Sequence, residues 1–317
     1  MKPVIVVTGS LNMDFVVAAD QLPAPGQTVL GRDFRMLPGG KGANQACAAG
    51  RLADSAVVRM VGRVGYDVFA DQLRANLAAA NVDVTGVTGV RSQPTGVALI
   101  EVDSRGQNSI VVASGANFAF SPADVESAAN SYRNARCALF QLETPPDTVL
   151  AAMRLARAEG ATTILDPAPA RTLDPEFFTL ADILTPNETE ACVLLGRDPA
   201  PITSSEAPEV AAALHAHGAN RVLLKLGSQG CYYADGKLER FSPGFRVHAV
   251  DTTAAGDTFN GALAVALAED QVLESALRFA NAAAALSVTR PGAQASIPSL
   301  TEVRAFLLHA EHNPAAV

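Results

Sequence analysis

Short apolar runs rich in β-branched residues alternate along this chain with longer Ala- and Leu-rich stretches of helical period. The candidate strands are Val4–Thr8, Val57–Val61, Ala138–Gln141, Thr162–Asp166, Asp182–Thr185 and Val222–Leu226. The helical patterns are Gly42–Ala53, Val68–Ala80, Pro122–Asn134, Pro146–Glu159, Glu188–Leu195 and Glu206–His217. Strands that are apolar along their whole length are typical of a parallel sheet covered on both faces. The pattern therefore predicts an α/β fold with a doubly wound, mostly parallel sheet flanked by helices.

Two segments lack the long helix that a parallel crossover requires. They are Asp14–Pro38 and Pro94–Ala113, and both look like strands joined by turns. In the second, the apolar runs 96–102 and 108–113 flank the turn sequence DSRG, whose glycine can take a positive φ. We predict that these segments form a small antiparallel β-layer beside the main sheet.

The charge and composition of the chain exclude several classes of protein. Of its 317 residues 49% are apolar, which is enough for a large buried core. The formal net charge is −8, so nucleic acid is not an expected partner. No charge-free helical stretch reaches the ~20 residues of a membrane span, and no signal-peptide pattern is present, which favours the cytoplasm. The cysteines lie far apart, as is typical of reduced proteins; they are Cys47, Cys137, Cys192 and Cys231.

The most informative segment is VDTTAAGDTFNGALA at 250–264. Its small residues lead at Asp257 into an apolar helical pattern, so free backbone N–H groups and the positive end of a helix dipole are expected there. Such a site suits the oxygens of a phosphoryl group during transfer. Asp257 stands where a carboxylate can accept the proton of an attacking hydroxyl. The alternative is that Asp257 is only a helix cap or a first-turn acid.

Two other loops also lead into helical patterns. The first, PGGKGAN at 38–44, is rich in glycine, which lets a ligand approach the backbone, but it matches neither a Walker A nor a dinucleotide fingerprint. The second, TPNETE at 185–190, lies at a predicted strand end. Its acids either stabilise a helix N-terminus or hold Mg²⁺ through water.

The segments PGGKGAN, NETE and DTTAAGDTFNGA, in this order, resemble the ribokinase/phosphofructokinase-B family of sugar kinases. The likeness runs from GSLNMD at 9–14 to GAQASIP at 292–298, which is nearly the whole chain. It implies a single α/β domain over residues 1–317, with a β-sheet lid formed by about 14–38 and 94–113. It also implies ATP-dependent phosphorylation of a sugar hydroxyl. By this resemblance Asp257 is the catalytic base, and Ala254, Ala255 and Gly256 form the anion hole.

The resemblance also implies a set of ligand contacts. The sugar contacts are Asn12, Asp14, Gly40, Lys41, Asn44, Glu143 and Asp257. The nucleotide contacts are Asn187, Lys225, Gly227, Ser228, Gly230, Gly256 and Asn281. Lys225 departs from the family pattern, which often has threonine at this position. The lysine either reaches a phosphate or points into solvent.

Two cations are implied as well. One is Mg²⁺, which Glu190 holds through water; the other is an activating K⁺. The K⁺ positions are Asp251, Thr253, Ser287, Arg290, Gly292 and Ser296. Arg290 can contribute only its carbonyl oxygen, because a guanidinium has no acceptor. We expect K⁺ to order the loop that carries the anion hole.

Within the family the resemblance favours a kinase that transfers the γ-phosphoryl group of ATP to O5 of D-ribose. A second hypothesis is a related kinase of fructose, a keto-deoxy sugar acid or a nucleoside. A third is a catalytically silent, nucleotide-binding regulator, which has no chemical need for Asp257. Apolar lid residues such as Val97 and Leu99 need cover. A homodimer formed through the lids is therefore expected, with packing onto the main domain of the same chain as the alternative.

Overall fold

The computed structural model describes residues 2–312, which form two β-sheets and the helices around them. The strands are β1 (Val4–Thr8), β2 (Asn12–Ala18), β3 (Asp33–Gly39), β4 (Val57–Val64), β5 (Val82–Gly89), β6 (Gly96–Val102), β7 (Asn108–Ala113), β8 (Ala135–Phe140), β9 (Thr162–Leu165), β10 (Ile183–Leu184), β11 (Val222–Lys225), β12 (Gly230–Ala234) and β13 (Glu239–Pro243). The α-helices are α1 (Lys41–Leu52), α2 (Val68–Ala79), α3 (Pro122–Ser127), α4 (Pro146–Ala158), α5 (Pro175–Leu180), α6 (Glu188–Leu194), α7 (Ala207–Ala216), α8 (Ala255–Ala268), α9 (Leu273–Ser287) and α10 (Leu300–His312).

The larger sheet has nine strands in the order β13-β12-β11-β10-β9-β8-β1-β4-β5. Neighbouring strands are parallel from β11 to β5, whereas β12 and β13 pair antiparallel at one edge. Successive residues of β1 face opposite sides of the sheet. Ile5 and Val7 belong to the core that includes α1, α8 and α9, and Val4 and Val6 belong to the core on the other side. The prediction of a doubly wound, mostly parallel α/β fold is confirmed.

The smaller sheet has the order β3-β2-β6-β7, and its strands come from the two segments that lack a long helix. The hairpin β6–β7 has the bounds expected from its turn sequence. The expectation of a wholly antiparallel layer is wrong, because β2 and β6 pair in parallel. Between β2 and β6 the chain forms β3, α1, β4, α2 and β5. This connection is long enough to bring the chain back in the same direction.

Other differences from the sequence patterns have local causes. The helical pattern 122–134 is wrong beyond Ser127, where α3 ends and a 3₁₀ turn follows at Ala129–Tyr132. The edge strand β5 is absent from the predicted strands, because Gly86 and Gly89 interrupt its apolar run. The antiparallel hairpin β12–β13 also escaped prediction, because the exposed β13 carries charged residues. No helix within residues 2–312 is long and apolar enough to cross a membrane. The cysteines are all buried and free.

The order of the strands reverses between β1 and β8. From β1 the chain continues to β4 and β5 on one side, and from β8 it continues to β9, β10 and β11 on the other. In open α/β sheets the loops diverge at such a point and leave a crevice at the carboxyl ends of the strands. The loop after β1 contains Ser10, and the loop after β8 contains Glu143. The topology therefore predicts a ligand site between these two loops.

Candidate active site

Three segments meet at the carboxyl ends of β1 and β8. The Ser10 hydroxyl donates a hydrogen bond to Glu143 Oε2 at 2.5 Å, and the backbone N–H of Lys41 donates to the same oxygen at 3.0 Å. The N–H of Gly42 donates to Ser10 Oγ at 3.3 Å. Glu143 therefore joins the loop after β8 to the loop after β1 and to the start of α1, at a position predicted to contact sugar.

The start of α8 presents backbone donors to the crevice. Ala254 precedes the helix in the left-handed conformation, with φ 58°, which is uncommon for a residue other than glycine. Within the described residues, the N–H groups of Gly256 and Asp257 have no backbone acceptor, as expected in the first turn of a helix. The left-handed residue and the two free N–H groups are features that an anion site requires, and the anion hole at 254–256 stays a prediction.

The Asp257 side chain is buried and is held by two amides of α1. Asn44 Nδ2 donates to its Oδ2 at 2.9 Å, and Gln45 Nε2 donates to its Oδ1 at 3.1 Å. Within the described residues it makes no hydrogen bond to the backbone of α8, so it is not a helix cap, although it is an acid of the first turn. Burial raises the pKa of Asp257; the Lys41 ammonium opposes this rise and Asp166 adds to it. The result is a fixed carboxylate with increased basicity.

Asn12 and Asp14 lie on β2, where glycines of the neighbouring strands make room for them. A Cβ at Gly39 would lie 2.0 Å from Asp14 Oδ2, and a Cβ at Gly96 would lie 2.3 Å from Asn12 Oδ1. Asn117 Nδ2 donates to Asn12 Oδ1 at 2.8 Å. Asn117 therefore fixes the Asn12 side chain, and the two glycines leave room for both predicted sugar-binding side chains.

The charges on this side of the crevice influence one another. Burial, together with the negative charges of Glu143 and Asp257, raises the pKa of Asp14 to about 7. Burial alone would lower the pKa of Lys41, but the surrounding carboxylates outweigh it and raise the pKa, so Lys41 stays an ammonium. Carboxylates, an ammonium and the Asn12 amide side by side supply the donors and acceptors that neighbouring hydroxyl groups require.

Two cavities adjoin at the start of α8. The larger, about 480 Å³, is lined mainly by apolar residues, and the smaller, about 390 Å³, is lined by several charged ones. The residues that line both are Lys225, Gly227, Thr252, Ala255 and Gly256. An apolar chamber that opens into a polar one beside a helix N-terminus suits a nucleoside followed by its phosphate chain.

Most of the predicted nucleotide contacts lie around these cavities. Ser228, Gly230 and Asn281 line the larger one, and Asn187 lines the smaller one. The Asn281 side-chain nitrogen is already engaged, because it donates to the carbonyl and hydroxyl oxygens of Ser242, both at 3.1 Å. Asn281 therefore joins α9 to β13 in the wall of the larger cavity.

Asn187 and Glu190 form a capping box at the start of α6. Asn187 Oδ1 accepts from the Glu190 N–H at 2.8 Å, and Glu190 Oε2 accepts from the Asn187 N–H at 2.7 Å. The two interpretations of NETE are compatible, since Glu190 caps the helix and also lines the polar cavity. Among residues 2–312, no three or more His, Cys, Asp or Glu side chains are arranged to hold a metal. Mg²⁺ keeps most of its waters and binds phosphate oxygens, so one or two wall carboxylates suit it.

Lys225, the last residue of β11, does not point into solvent. Its side chain is 11% exposed, and Nζ donates to Asp166 Oδ1 at 2.9 Å. The solvent alternative for Lys225 is therefore wrong. Gln45 Nε2 donates to the other oxygen of Asp166 at 2.9 Å. Because Gln45 also donates to Asp257, hydrogen bonds connect Lys225 through Asp166 and Gln45 to Asp257.

The positions predicted around K⁺ lie in the loop before α8, at Ser287 as the last residue of α9, and in the loop after α9. Asp251 joins the loops, because it accepts from the Thr253 N–H at 2.9 Å and from the Gly292 N–H at 2.8 Å. Burial would raise the pKa of Asp251, but these hydrogen bonds outweigh it and lower the pKa. The carboxylate therefore stays ionised where the two loops meet.

The remaining K⁺ positions supply neutral oxygens. The hydroxyls of Ser287 and Ser296 each donate to a backbone carbonyl at 2.8 Å. The Arg290 side chain pairs with Glu302 at the surface, which leaves only its carbonyl available to an ion. One carboxylate with hydroxyl and carbonyl oxygens is a set of hard oxygen donors, which suits an alkali cation.

Several residues of the site were not assigned from the sequence. Asp166 was noticeable only as a polar residue at a strand end. Gln45 and Gln294 gave no signal, because their partners are distant in the sequence. Gln294 Nε2 donates to Asn44 Oδ1 at 3.1 Å and so connects the second K⁺ loop to the amide that holds Asp257.

Comparison with known proteins places this site in a family. The model of the pfkB family carbohydrate kinases matches residues 2–300. The chain belongs to the pfkB family of carbohydrate kinases. It is 44% identical to the ribokinase of Bacillus subtilis (strain 168) over 96% of this chain and 99% of that protein. It is 36% identical to the deoxyribokinase of Salmonella typhi over 96% of this chain and 98% of that protein.

A solved structure shows the same architecture. The ribokinase of Arabidopsis thaliana, complexed with ribose and ATP, is 35% identical with a TM-score of 0.88, and the match covers 96% of this chain and 98% of that one. Family membership confirms the prediction of a phosphotransferase enzyme, a carbohydrate kinase. It sets aside the hypothesis of a catalytically silent regulator.

Proposed function

We propose that this pfkB kinase transfers the γ-phosphoryl group of ATP to O5 of D-ribose, giving D-ribose 5-phosphate and ADP. The observation that carries the proposal is the place of Asp257. Its buried carboxylate lies at the N-terminus of α8, close enough to Asp14 to influence the pKa of that residue, and it lines the polar cavity. A sugar bound beside Asp14 and a phosphate chain bound in the polar cavity then meet at the Asp257 carboxylate.

The chain's own residues account for the transfer as follows. Asn12, Asp14, Lys41, Asn44 and Glu143 hold the sugar hydroxyls, and Gly40 lets the loop before α1 lie against the backbone of 10–12. Asp257 accepts the O5 proton as that oxygen attacks phosphorus, an effect typically worth about 10²–10⁴-fold in rate. The N–H groups of Gly256 and Asp257 donate to the oxygens of the transferring group, where negative charge is concentrated.

The nucleotide occupies the two adjoining cavities in this proposal. Its base and ribose lie in the apolar cavity near Ser228, Gly230 and Asn281, and its phosphates pass Gly227 and Lys225. When bound, Mg²⁺ reduces the negative charge of the phosphate chain. Glu190 is the residue that would hold its water shell, with Asn187 keeping Glu190 in place.

K⁺ is assigned to the oxygens of the two loops that Asp251 joins. Because the first of these loops continues into the anion hole, the ion fixes the geometry of the hole. The kinase is expected to be faster in potassium buffer than in a sodium buffer of equal ionic strength. Equal rates in the two buffers would contradict this assignment.

Pairing of two copies through the smaller sheets is also proposed. Met36, Leu99 and Val111 lie in one cross-strand row with Phe15, and their exposed fractions are 49%, 54% and 63%. An apolar row of this kind is normally covered. Sedimentation equilibrium should give a dimer, and Leu99→Glu should shift it toward monomer.

A cytoplasmic location remains a prediction.

The experiment that tests the proposed function is ATP consumption against a panel of sugars. The panel contains D-ribose, 2-deoxy-D-ribose, D-fructose, a keto-deoxy sugar acid and adenosine. D-Ribose should give the highest kcat/KM. The second candidate is 2-deoxy-D-ribose, favoured by the 36% identity to a deoxyribokinase. A higher kcat/KM for 2-deoxy-D-ribose would replace the first candidate with the second.

A further inference from the structure

Lysine is rare in this chain. Lys and Arg together number 24, and the lysines are only Lys2, Lys41, Lys225 and Lys237. Two of these four, Lys41 and Lys225, line the polar cavity. Lysine carries a compact ammonium on a flexible stem, whereas arginine carries a broad planar fork. The use of two of the four lysines in this cavity, in a chain whose other 20 basic residues are arginine (24 − 4), indicates a need for a small point charge.

The position of the Lys225 ammonium is unusual among the residues of the site. Of the residues that line both cavities, Lys225 alone carries a charge. A Cβ built on Gly256 would lie 3.4 Å from Lys225 Nζ, so the ammonium lies against the backbone of the first turn of α8. A phosphate chain that runs from the apolar cavity toward Asp257 must pass this point.

Asp166 holds the ammonium at that point. Its side chain is only 3% exposed; one oxygen accepts from Lys225 Nζ and the other from Gln45 Nε2, both at 2.9 Å. Buried ion pairs contribute little to stability compared with neutral residues of similar shape. Stability alone therefore gives no reason to keep two opposite charges buried here.

The ammonium also has donors to spare. Lysine Nζ carries three N–H groups, and Asp166 accepts one of them. Burial alone would lower the pKa of Lys225, but Asp166 and Glu190 outweigh it and raise the pKa. The group therefore stays protonated and can donate to a phosphate oxygen without leaving Asp166.

We infer that Asp166 and Lys225 act as one unit in phosphoryl transfer, in which Asp166 is a positioning residue that holds the Lys225 ammonium where it binds the phosphate chain. The inference rests on the proposed function for the identity of that chain as ATP. Gln45 ties the unit to Asp257, so the cation on the phosphate path and the base are fixed by one hydrogen-bond chain. Threonine in place of Lys225, as in the family pattern, offers a hydroxyl here without a charge.

The test uses Lys225→Met, Asp166→Asn and the double variant that combines these two changes. The control is Lys237→Met, which removes the same charge from an exposed turn. Loss of a charge-assisted contact should raise the KM for ATP of Lys225→Met at least about tenfold, with the KM for sugar within about twofold of the parent. Asp166→Asn should raise the KM for ATP by a smaller factor. Lys237→Met should match the parent enzyme in every constant.

The double variant separates positioning from folding. Each single change leaves one buried charge without its partner, whereas the double variant leaves none, so it should recover the thermal stability that Lys225→Met loses. It should not recover the KM for ATP. Recovery of both, or an unchanged KM for ATP in Lys225→Met, would overturn the inference.

Failure of the proposed function is recognisable separately. If the parent enzyme phosphorylates none of the sugars in the panel, the proposed substrate is wrong. Calorimetric titration of the same four variants with ATP then still measures the inferred contact. The dissociation constant for ATP should rise at least about tenfold in Lys225→Met and should not change in Lys237→Met. Equal affinity in these two variants would overturn the inference.

Discussion

The two sides of Asp257 are built differently, and their glycines show how. On the sugar side a Cβ at Gly40 would lie 2.8 Å from the backbone N of Asn12, and a Cβ at Gly42 would lie 2.6 Å from the backbone of Gly9. On the nucleotide side Gly227 has no atom within 4 Å of such a Cβ, and Gly256 has only the end of Lys225 nearby. Packed backbone therefore fixes the sugar side at Gly40 and Gly42, whereas the nucleotide side is open at Gly227 and Gly256, beside the Lys225 ammonium that Asp166 holds. The comparison implies selection by shape on one side and by charge on the other.

The largest effect is expected where the two sides meet. Asp257→Asn keeps the shape of the side chain but cannot accept a proton from the sugar. Its kcat should fall about a hundredfold or more, while both KM values change little. Steady-state kinetics measure this, with Asp270→Asn, an exposed residue just after the end of α8, as the control. A variant that keeps more than about a tenth of the parental kcat would show that another group serves as the base.

The next largest effect is expected when alanine replaces a glycine on the sugar side, compared with a glycine on the nucleotide side. Gly40 has φ +88° and no room for a Cβ, so Gly40→Ala should lower the free energy of unfolding by more than about 2 kcal/mol and raise the KM for sugar. Gly227 has φ +53° and open space, so Gly227→Ala should cost about 1–2 kcal/mol, from backbone strain alone. Denaturant unfolding and the KM for sugar measure both variants. Equal losses would remove the proposed difference between the two sides.

The main elements of the fold were predictable from the sequence, because buried parallel strands such as β1 and β11 are continuous apolar runs. Strand β5 was not, since glycines interrupt it, and the parallel pairing of β2 with β6 depends on a long connection whose path no local pattern contains. Within the site, loops that lead into helices are visible as motifs. Gln45 and Asp166 were not assigned because their roles arise from partners that only the folded chain brings together.

A pH effect is expected on the sugar side. The pKa of Asp14 is about 7 in the folded chain against 3.8 as its ordinary value, so between these pH values the folded state holds a proton that the unfolded state has released. Stability from this group is present below pH 3.8 and is lost as the pH rises toward 7. Asp14→Asn should therefore gain stability relative to the parent as the pH increases from 5 to 8, as measured by urea unfolding without sugar. A pH-independent difference would contradict the raised pKa.

The smallest effect is expected at the link between the second K⁺ loop and Asn44 on the sugar side. Gln294→Ala removes the hydrogen bond to Asn44, and one neutral hydrogen bond corresponds to about a two- to tenfold fall in kcat. Arg290→Ala in the same loop removes only a surface pair with Glu302 and should leave kcat and any K⁺ activation unchanged. Equal effects of the two changes would indicate that the loop as a whole, not Gln294, supports Asn44.

The meeting of the two sides at one carboxylate is tested most directly by a crystal structure with D-ribose and a non-hydrolysable ATP analogue. We predict the sugar O5 within about 2.6–3.2 Å of the Asp257 carboxylate, with the terminal phosphate against the N–H groups of Gly256 and Asp257. A sugar whose reactive hydroxyl faces away from Asp257, or a phosphate chain bound away from the start of α8, would contradict the account.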